Sequence, residues 1–294
     1  MSTREQSAAG AVYDTLVSTD VLAAHLDDPH WVIVDCRHNL ADPDAGQRAY
    51  AAGHIAGAAF LHLDRDLSGK KTGRNGRHPL PRVDDLAGRL GEIGIDATRQ
   101  VVAYDQNNGL WASRVWWLLR ELGHRAVAVL DGGIDRWAAQ GLQLDDKLPR
   151  REATAFTPAI AAFSTDQVAT VDEIEGALGT GMLTVVDARA PERYRGEVEP
   201  IDPVAGRIPG AINRPHVLNL TADGRFKSSS ALREEFDALL GDTRLARVVH
   251  QCGSGVTACH NLLAMAVAGM PGSRLYAGSW SEWSADSRRP IERG

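Results

Sequence analysis

WVIVDCR, at residues 31–37, returns as LTVVDAR at residues 183–189, and these two segments decide the fold. Each is an apolar run that ends in Asp-x-Arg, the pattern of a buried strand that leads into a loop. Three more segments recur in the same order and at nearly the same spacing: GHIAGAA (53–59) as GRIPGAI (206–212), QVVAYD (100–105) as RVVHQC (247–252), and AVLDGGIDRW (128–137) as RLYAGSWSEW (274–283). The sequence therefore predicts two copies of one domain.

Within each copy, short apolar strands alternate with stretches of helical periodicity. This alternation predicts an α/β fold, with a mainly parallel sheet flanked by helices in each domain. We place the N-terminal domain at residues 12–144 and the C-terminal domain at residues 164–291. Residues 145–163 between them contain two prolines, mixed charge and no clear period, so they are predicted to form a linker.

Composition excludes several classes of protein. The chain has 294 residues, enough for two domains, and its net charge of −6 disfavours a general affinity for nucleic acid. Its three cysteines are too few for a disulfide framework and indicate a reducing compartment. The N-terminus lacks the apolar stretch of a signal peptide, and no apolar segment reaches the roughly 18 residues that a spanning helix needs. We therefore expect a cytoplasmic protein whose partners include neither nucleic acid nor a membrane.

The two copies differ where a strand meets a helix. The C-terminal copy has Cys252-Gly-Ser-Gly-Val-Thr257 between the strand VVHQ and a helix that starts at Ala258. Gly253 and Gly255 allow such a loop to turn its backbone N–H groups inward, and Thr257 is a suitable N-cap for a helix whose positive end faces the same place. These surroundings favour a sulfur anion, so Cys252 is predicted to be a nucleophile; the alternative is a buried structural cysteine.

The N-terminal copy has Asp105 at the position of that cysteine. A carboxylate cannot act as a sulfur nucleophile, so this copy is predicted to be non-catalytic, with a structural loop one residue longer. The other two cysteines, Cys36 and Cys259, are predicted to be core residues. No Cys/His spacing fits a metal site and no phosphate-binding or dinucleotide motif occurs, so we expect neither a metal nor a cofactor. A cysteine phosphatase is disfavoured as well, because its Cys-x5-Arg motif would need arginine where Ala258 stands.

The paired Asp-x-Arg strands, the Gly-[His/Arg]-Ile-x-Gly-Ala segments, the cysteine loop and GSWSEW at 278–283 resemble the tandem-domain sulfurtransferases of the rhodanese family. The similarity covers nearly all of residues 15–290 and implies two tandem rhodanese-like domains. It also implies a ping-pong reaction, in which Cys252 takes a sulfur atom from a small anionic donor and holds it as a persulfide. The acceptor would be a thiol, such as thioredoxin or a small thiol, or cyanide.

The loop CGSGVTAC resembles that of family members that use 3-mercaptopyruvate, which is the expected donor. Members that prefer thiosulfate carry Arg and Lys after the cysteine, where this chain has Gly253 and Ser254. Members that use 3-mercaptopyruvate have a second substrate arginine where this chain has Asp202, which leaves thiosulfate as the alternative donor. Arg195, Arg207 or a basic residue of the other domain could replace that arginine. A non-catalytic sulfur-carrier or binding module is a more remote alternative.

The same resemblance implies further site residues. Arg193 resembles the arginine that binds the carboxylate or sulfonate end of the donor, a task that suits a guanidinium group; the alternative is a solvated surface arginine. Ser254, Asp64 and His78 resemble the polar group that assists proton movement at the thiol, and the alternative for His78 is an ordinary loop histidine. The basic loop at residues 68–78 is either solvated or an anion-attracting lip. The donor-binding part of the cysteine loop is predicted to comprise Gly253, Gly255, Val256 and Thr257.

Overall fold

The computed structural model describes residues 12–294 as two α/β units in tandem. The strands of the first unit are Leu16–Val17 (β1), Trp31–Asp35 (β2), His54–Ile55 (β3), Ala59–Phe60 (β4), Gln100–Tyr104 (β5), Val127–Leu130 (β6) and Leu144–Asp145 (β7). Its helices are Thr19–Ala24 (α1), Ala45–Ala52 (α2), Val83–Glu92 (α3), Ala112–Glu121 (α4) and Gly133–Ala139 (α5).

The second unit repeats this plan with fewer strands. They are Thr184–Asp187 (β8), Ile212–Asn213 (β9), Val248–Gln251 (β10) and Arg274–Leu275 (β11). The helices are Val171–Ala177 (α6), Pro191–Tyr194 (α7), Ser229–Leu240 (α8), Thr257–Val267 (α9) and Ser279–Trp283 (α10), with 3-10 turns at His216–Asn219 and Leu245–Arg247. Within residues 12–294, no helix has both the length and the apolar character to cross a membrane.

Each unit is built on a parallel sheet. The strand order is β1-β6-β5-β2-β4 in the first unit and β11-β10-β8-β9 in the second, and the pairing within both sheets is parallel. A parallel bridge between Val168 and Leu275 supplies the second sheet with a counterpart of β1. The short strands β3 and β7 form a separate antiparallel pair. The predicted α/β fold, with mainly parallel sheets flanked by helices, is confirmed.

The Asp-x-Arg pairs at the ends of β2 and β8 have a structural role. Arg37 Nη2 lies 2.7 Å from Asp35 Oδ2, and Arg189 Nη2 lies 2.7 Å from Asp187 Oδ2, so each arginine folds back onto its own strand. Both carboxylates are fully buried. Because a buried charge requires a partner, the arginine must accompany the aspartate in both copies.

Helices α4 and α9 pack against each other and join the two units. Helix α4 follows the loop of Asp105 and α9 follows the loop of Cys252, so equivalent helices of the two copies meet. Their buried side chains belong to one continuous core, which includes Trp117 on α4 and Leu263 on α9. This packing places the Cys252 loop at the junction of the units, within reach of residues from both.

The segment between the units is packed rather than free. Residues 146–163 form neither helix nor strand. Phe156 is nonetheless buried in the core, and the N–H groups of Thr154 and Ala159 donate to the carbonyl groups of Gly91 and Leu122. The segment therefore lies along the first unit, while the domain boundaries at residues 144 and 164 stay predictions.

Candidate active site

Cys252 lies directly after β10 and lines a cavity of about 180 Å³. The residue is only 2% exposed. Its N–H donates to Ser279 Oγ at 3.1 Å, and the N–H of Trp280 donates to its carbonyl at 3.0 Å, so α10 holds the backbone of the loop. Residues of both units line the cavity: Leu40, Arg77, Trp111, Ala188, Arg189, Ala190, Arg193, Ile201, His216, Cys252, Gly253, Ser254, Val256 and Thr257.

The loop after Cys252 presents unpaired N–H groups. Within residues 12–294, none of the backbone N–H groups from Gly253 to Ala258 donates to a protein acceptor. Gly255 has φ = +75°, and a Cβ there would overlap the carbonyl oxygen of Ala277, so this turn requires glycine. A run of unpaired N–H groups at the start of a helix is suited to bind an anion.

The prediction that Thr257 caps α9 is wrong. The helix begins at Thr257 itself, and the preceding residue, Val256, has helical dihedral angles (φ −94°, ψ −60°) and makes no side-chain cap. A side chain caps a helix from the residue before the first helical residue, and Thr257 is itself the first helical residue. The first turn of α9 therefore contributes its N–H groups to the loop without a side-chain acceptor.

The equivalent loop of the first unit closes around the side chain of Asp105. The Asp105 carboxylate accepts hydrogen bonds of 2.6–3.0 Å from four backbone N–H groups, those of Asn107, Gly109, Trp111 and Ala112. Burial raises the pKa of Asp105, and these four donors act in the opposite direction. The loop is thus closed around a carboxylate, at the position that Cys252 has in the second unit.

Ser254, His78 and Asp64 come together across the junction of the units. Ser254 Oγ lies 2.7 Å from His78 Nδ1, and His78 Nε2 lies 3.6 Å from Asp64 Oδ1. Burial lowers the pKa of His78 to about 3, although Asp64 acts in the opposite direction, so the imidazole is neutral at neutral pH. Burial alone would raise the pKa of Asp64, but the 2.7 Å hydrogen bond from Lys71 Nζ helps to outweigh it, and the net shift is downward. His78 is therefore a neutral base beside the Ser254 hydroxyl.

Three arginines line the cavity: Arg77 from the first unit, and Arg189 and Arg193 from the second, of which Arg189 is bound to Asp187. Arg193 donates to Glu199 and Asp202, and Arg77 pairs with the same Asp202. A Cβ at Gly253 would lie 2.9 Å from Arg77 Nη2 and 3.5 Å from the Nη atoms of Arg193, so glycine leaves room for both guanidinium groups. In the described part of the chain, Arg77 Nε has no hydrogen-bond partner. The cavity wall therefore carries guanidinium groups from both units, each of them paired with a buried carboxylate.

Asp202 thus joins two arginines at the place where a second arginine was expected. Arg195 and Arg207 pair with Glu197 and Glu292 and do not line the cavity. Of the three replacements that the sequence suggests, only a basic residue of the other domain, Arg77, lines the cavity in the described part of the chain.

The loop that carries Arg77 is seated on the second unit. Arg77 N–H donates to Ser281 Oγ at 3.0 Å, and a Cβ at Gly76 would overlap the carbonyl oxygen of Gly278. The sequence indicates a basic loop at residues 68–78 but not that it crosses to the other unit. Arg77 was therefore missed as an individual site residue.

The remaining two cysteines are core residues, as predicted. Both are buried, and burial raises the pKa of Cys36 well above its ordinary value and that of Cys259 to about 12. Neither lines the cavity.

His38, His62 and Asp64 lie close enough together to be considered as metal ligands. However, His62 Nδ1 accepts the N–H groups of Asp64 and Arg65, and His62 Nε2 lies 3.0 Å from the carbonyl oxygen of Pro43. His62 therefore has no free lone pair for a metal, and this donor set does not favour one.

Comparison with known proteins identifies related chains. The model of the rhodanese-like domain matches residues 18–140 and 170–286. A Pseudomonas aeruginosa protein named "Probable 3-mercaptopyruvate sulfurtransferase" is 46% identical over 283 residues, which are 95% of this chain and 98% of that protein. A Mycobacterium tuberculosis protein named "Putative thiosulfate sulfurtransferase SseB" is 40% identical over 265 residues, which are 89% of this chain and 90% of that protein. The solved structure of 3-mercaptopyruvate sulfurtransferase from Leishmania major covers 95% of this chain and 76% of its own, with a TM-score of 0.82 and 31% identity.

Proposed function

Because the chain belongs to the rhodanese family and is a sulfurtransferase, we propose that it moves sulfur from 3-mercaptopyruvate through a persulfide on Cys252 to a thiol or cyanide. The observation that carries this proposal is the run of unpaired N–H groups after Cys252. The equivalent loop directs four such groups at the Asp105 carboxylate. An anionic sulfur on Cys252 would meet the same kind of loop, which would stabilise both the thiolate and the persulfide.

The first half-reaction loads the cysteine. The Cys252 thiolate attacks the sulfur of 3-mercaptopyruvate, so an S–S bond forms as the C–S bond of the donor breaks. The electron pair of the C–S bond moves to carbon, and pyruvate leaves as its enolate. The proton of the donor thiol ends on that carbon, which balances the step without an external oxidant or reductant.

The second half-reaction transfers the sulfur atom from the Cys252 persulfide to the acceptor. A thiolate acceptor or cyanide attacks the outer sulfur, the S–S bond breaks, and the Cys252 thiolate is released. The product is the persulfide of the acceptor, or thiocyanate. Thioredoxin and small thiols in the cytoplasm are the acceptors that we propose.

Ser254 and His78 are proposed to carry the proton. The neutral imidazole can accept it through the 2.7 Å hydrogen bond to Ser254 Oγ, and Ser254 lines the cavity beside Cys252. The Asp64 carboxylate, 3.6 Å from the other ring nitrogen, would stabilise the imidazolium while it exists. Arg193 and Arg77 are proposed to bind the carboxylate of the donor, since each guanidinium has five N–H donors and can share them between Asp202 and a ligand.

The leaving group favours 3-mercaptopyruvate over thiosulfate. An enolate needs a proton, which Ser254 and His78 can supply. Sulfite leaves as a stable anion and needs no proton, and Gly253 and Ser254 do not carry the positive charges found after the cysteine in members that prefer thiosulfate. Thiosulfate remains the second candidate because of the name of the Mycobacterium tuberculosis relative and the arginines that line the cavity.

A comparison of kcat/KM for the two donors on one preparation tests the choice. We expect 3-mercaptopyruvate to be preferred by about tenfold or more, which corresponds to about 1.4 kcal/mol of transition-state stabilisation. A preference for thiosulfate would overturn the assignment of the donor, while leaving the role of Cys252 to be tested separately.

A further inference from the structure

Arg114, near the start of α4 in the first unit, lies against the back of the cysteine loop. It is fully buried. Its Nη1 donates to the carbonyl of Gly255 at 3.1 Å and its Nη2 to the carbonyl of His78 at 3.3 Å. Among residues 12–294, no carboxylate pairs with it, and its Nε has no hydrogen-bond partner. Since burial of an uncompensated charge is strongly unfavourable, another group must balance this cation.

The equivalent contact in the opposite direction, from a helix of the second unit to a loop of the first, is made by a different residue. Arg114 and His260 occupy equivalent positions in α4 and α9. Arg114 lies two residues after Ala112, and His260 lies two residues after Ala258. His260 Nε2 lies 3.2 Å from the carbonyl oxygen of Asn108 in the Asp105 loop. Asn108 (φ +56°) and Gly255 (φ +75°) both have a left-handed backbone conformation. Asn108 follows Asp105 at the same sequence separation as Gly255 follows Cys252.

The two mirrored contacts differ in charge. Burial lowers the pKa of His260 to about 3, so it is neutral at neutral pH, whereas arginine stays charged. The loop that contains the Asp105 carboxylate thus faces a neutral side chain. The loop that contains Cys252 faces a cation.

The titratable groups that face Arg114 are two thiols and one imidazole. Burial lowers the pKa of Arg114, and the thiols of Cys259 and Cys252 act in the opposite direction. Burial raises the pKa of Cys259 to about 12, so this thiol stays protonated at neutral pH. His78 is neutral, as described above. Cys252, the proposed sulfur carrier, is the other thiol that faces Arg114.

We propose that Arg114 is a positioning residue for sulfur transfer, which holds the cysteine loop against His78 and supplies the fixed positive charge opposite the sulfur anion. The peptide between Gly255 and Val256 is planar, with C=O and N–H on opposite sides, so the guanidinium on the oxygen fixes the direction of the Val256 N–H. Val256 itself lines the cavity. This proposal rests on the role of Cys252 proposed above, and it makes the first unit part of the catalytic machinery.

The test compares Arg114→Met, which removes the charge, with Arg114→Lys, which keeps it but cannot bridge both carbonyl groups. The pH dependence of iodoacetamide alkylation is followed on the Cys252 peptide by mass spectrometry, together with kcat and the thermal unfolding temperature. His260→Gln is the matched control, because it alters the mirrored contact without touching the cysteine loop.

We expect the midpoint of Cys252 alkylation in Arg114→Met to move upward by about one pH unit, with kcat lowered about tenfold or more. Arg114→Lys should keep the midpoint of the wild type while kcat falls, and His260→Gln should change only the unfolding temperature. An unmoved midpoint in Arg114→Met would overturn the proposal. If that variant does not fold, a midpoint raised by a full unit in Arg114→Lys would overturn it instead. Full turnover by Cys252→Ser would refute the proposed function, whereas the alkylation profile would still report on Arg114.

Discussion

A hydrogen bond between Ser254 Oγ and His78 Nδ1 joins the two domains next to Cys252, the cysteine proposed to carry the sulfur. At the scale of residues, its significance lies in the state of the imidazole. Burial keeps His78 neutral, so it can accept a proton during turnover. Asp64 lies on the opposite side of the ring and can stabilise the charge that results.

Ser254→Ala and His78→Gln are each expected to lower kcat with 3-mercaptopyruvate by about a hundredfold. Because both side chains are proposed to act on the same proton, the double variant should lose little more than either single variant. Pyruvate release measured at steady state gives the comparison. His124→Gln is the control, because His124 is also buried but packs against Phe156. Losses that multiply in the double variant would contradict a shared proton path.

At the scale of elements, the cysteine loop depends on a glycine that no other residue can replace. Gly255 and Gly210 both have φ = +75°, but only Gly255 would place a Cβ onto backbone, at Ala277. Alanine substitutions at the two glycines therefore distinguish two effects. At Gly210 the substitution introduces only the strain of a left-handed conformation, whereas at Gly255 it adds an overlap inside the loop.

Gly255→Ala is expected to lower kcat/KM by about a hundredfold or more, because the loop must open to relieve the overlap and its N–H groups then turn away from Cys252. Gly210→Ala should keep wild-type kcat/KM and lose only about 1–2 kcal/mol of stability from the left-handed strain. Donor kinetics and thermal unfolding of both variants decide the matter. Equal kinetic losses in the two variants would show that the loop geometry is not what matters.

The sequence predicts those parts of this protein that depend on local pattern. The paired strands, the two domains and the cysteine loop follow from apolar runs and glycines that act over a few residues. The start of α9 was misjudged, because Val256 already has helical dihedral angles and Thr257 lies one position too late to cap. The sequence does not single out Arg77 and Arg114. Each contacts a loop of the other domain, and no local sequence pattern shows how the two domains pack.

At the scale of the whole molecule, the active site belongs to neither domain alone. Helices α4 and α9 hold the domains together, and side chains of the first domain form hydrogen bonds with Ser254 and Gly255 in the cysteine loop of the second. We therefore propose that the first domain, which has Asp105 in place of the cysteine, is a structural and electrostatic part of the site.

Arg77→Ala tests the contribution of the first domain to donor binding. We expect KM for 3-mercaptopyruvate to rise about tenfold or more, since a charge-assisted hydrogen bond contributes about 1.5–3 kcal/mol, with a smaller change in kcat. Arg195→Ala is the control, because Arg195 pairs with Glu197 outside the cavity. An unchanged KM in Arg77→Ala would remove this residue from the donor site.

The central claim is that Cys252 carries the transferred sulfur, and peptide mass spectrometry after incubation with 3-mercaptopyruvate, without an acceptor, tests it most directly. We expect the Cys252 peptide to gain the mass of one sulfur atom and to lose it on addition of cyanide or a thiol. The peptides of Cys36 and Cys259 should stay unchanged, and Cys252→Ser should be inactive. Sulfur on either of the other cysteines, or full turnover by Cys252→Ser, would contradict the proposed role of Cys252.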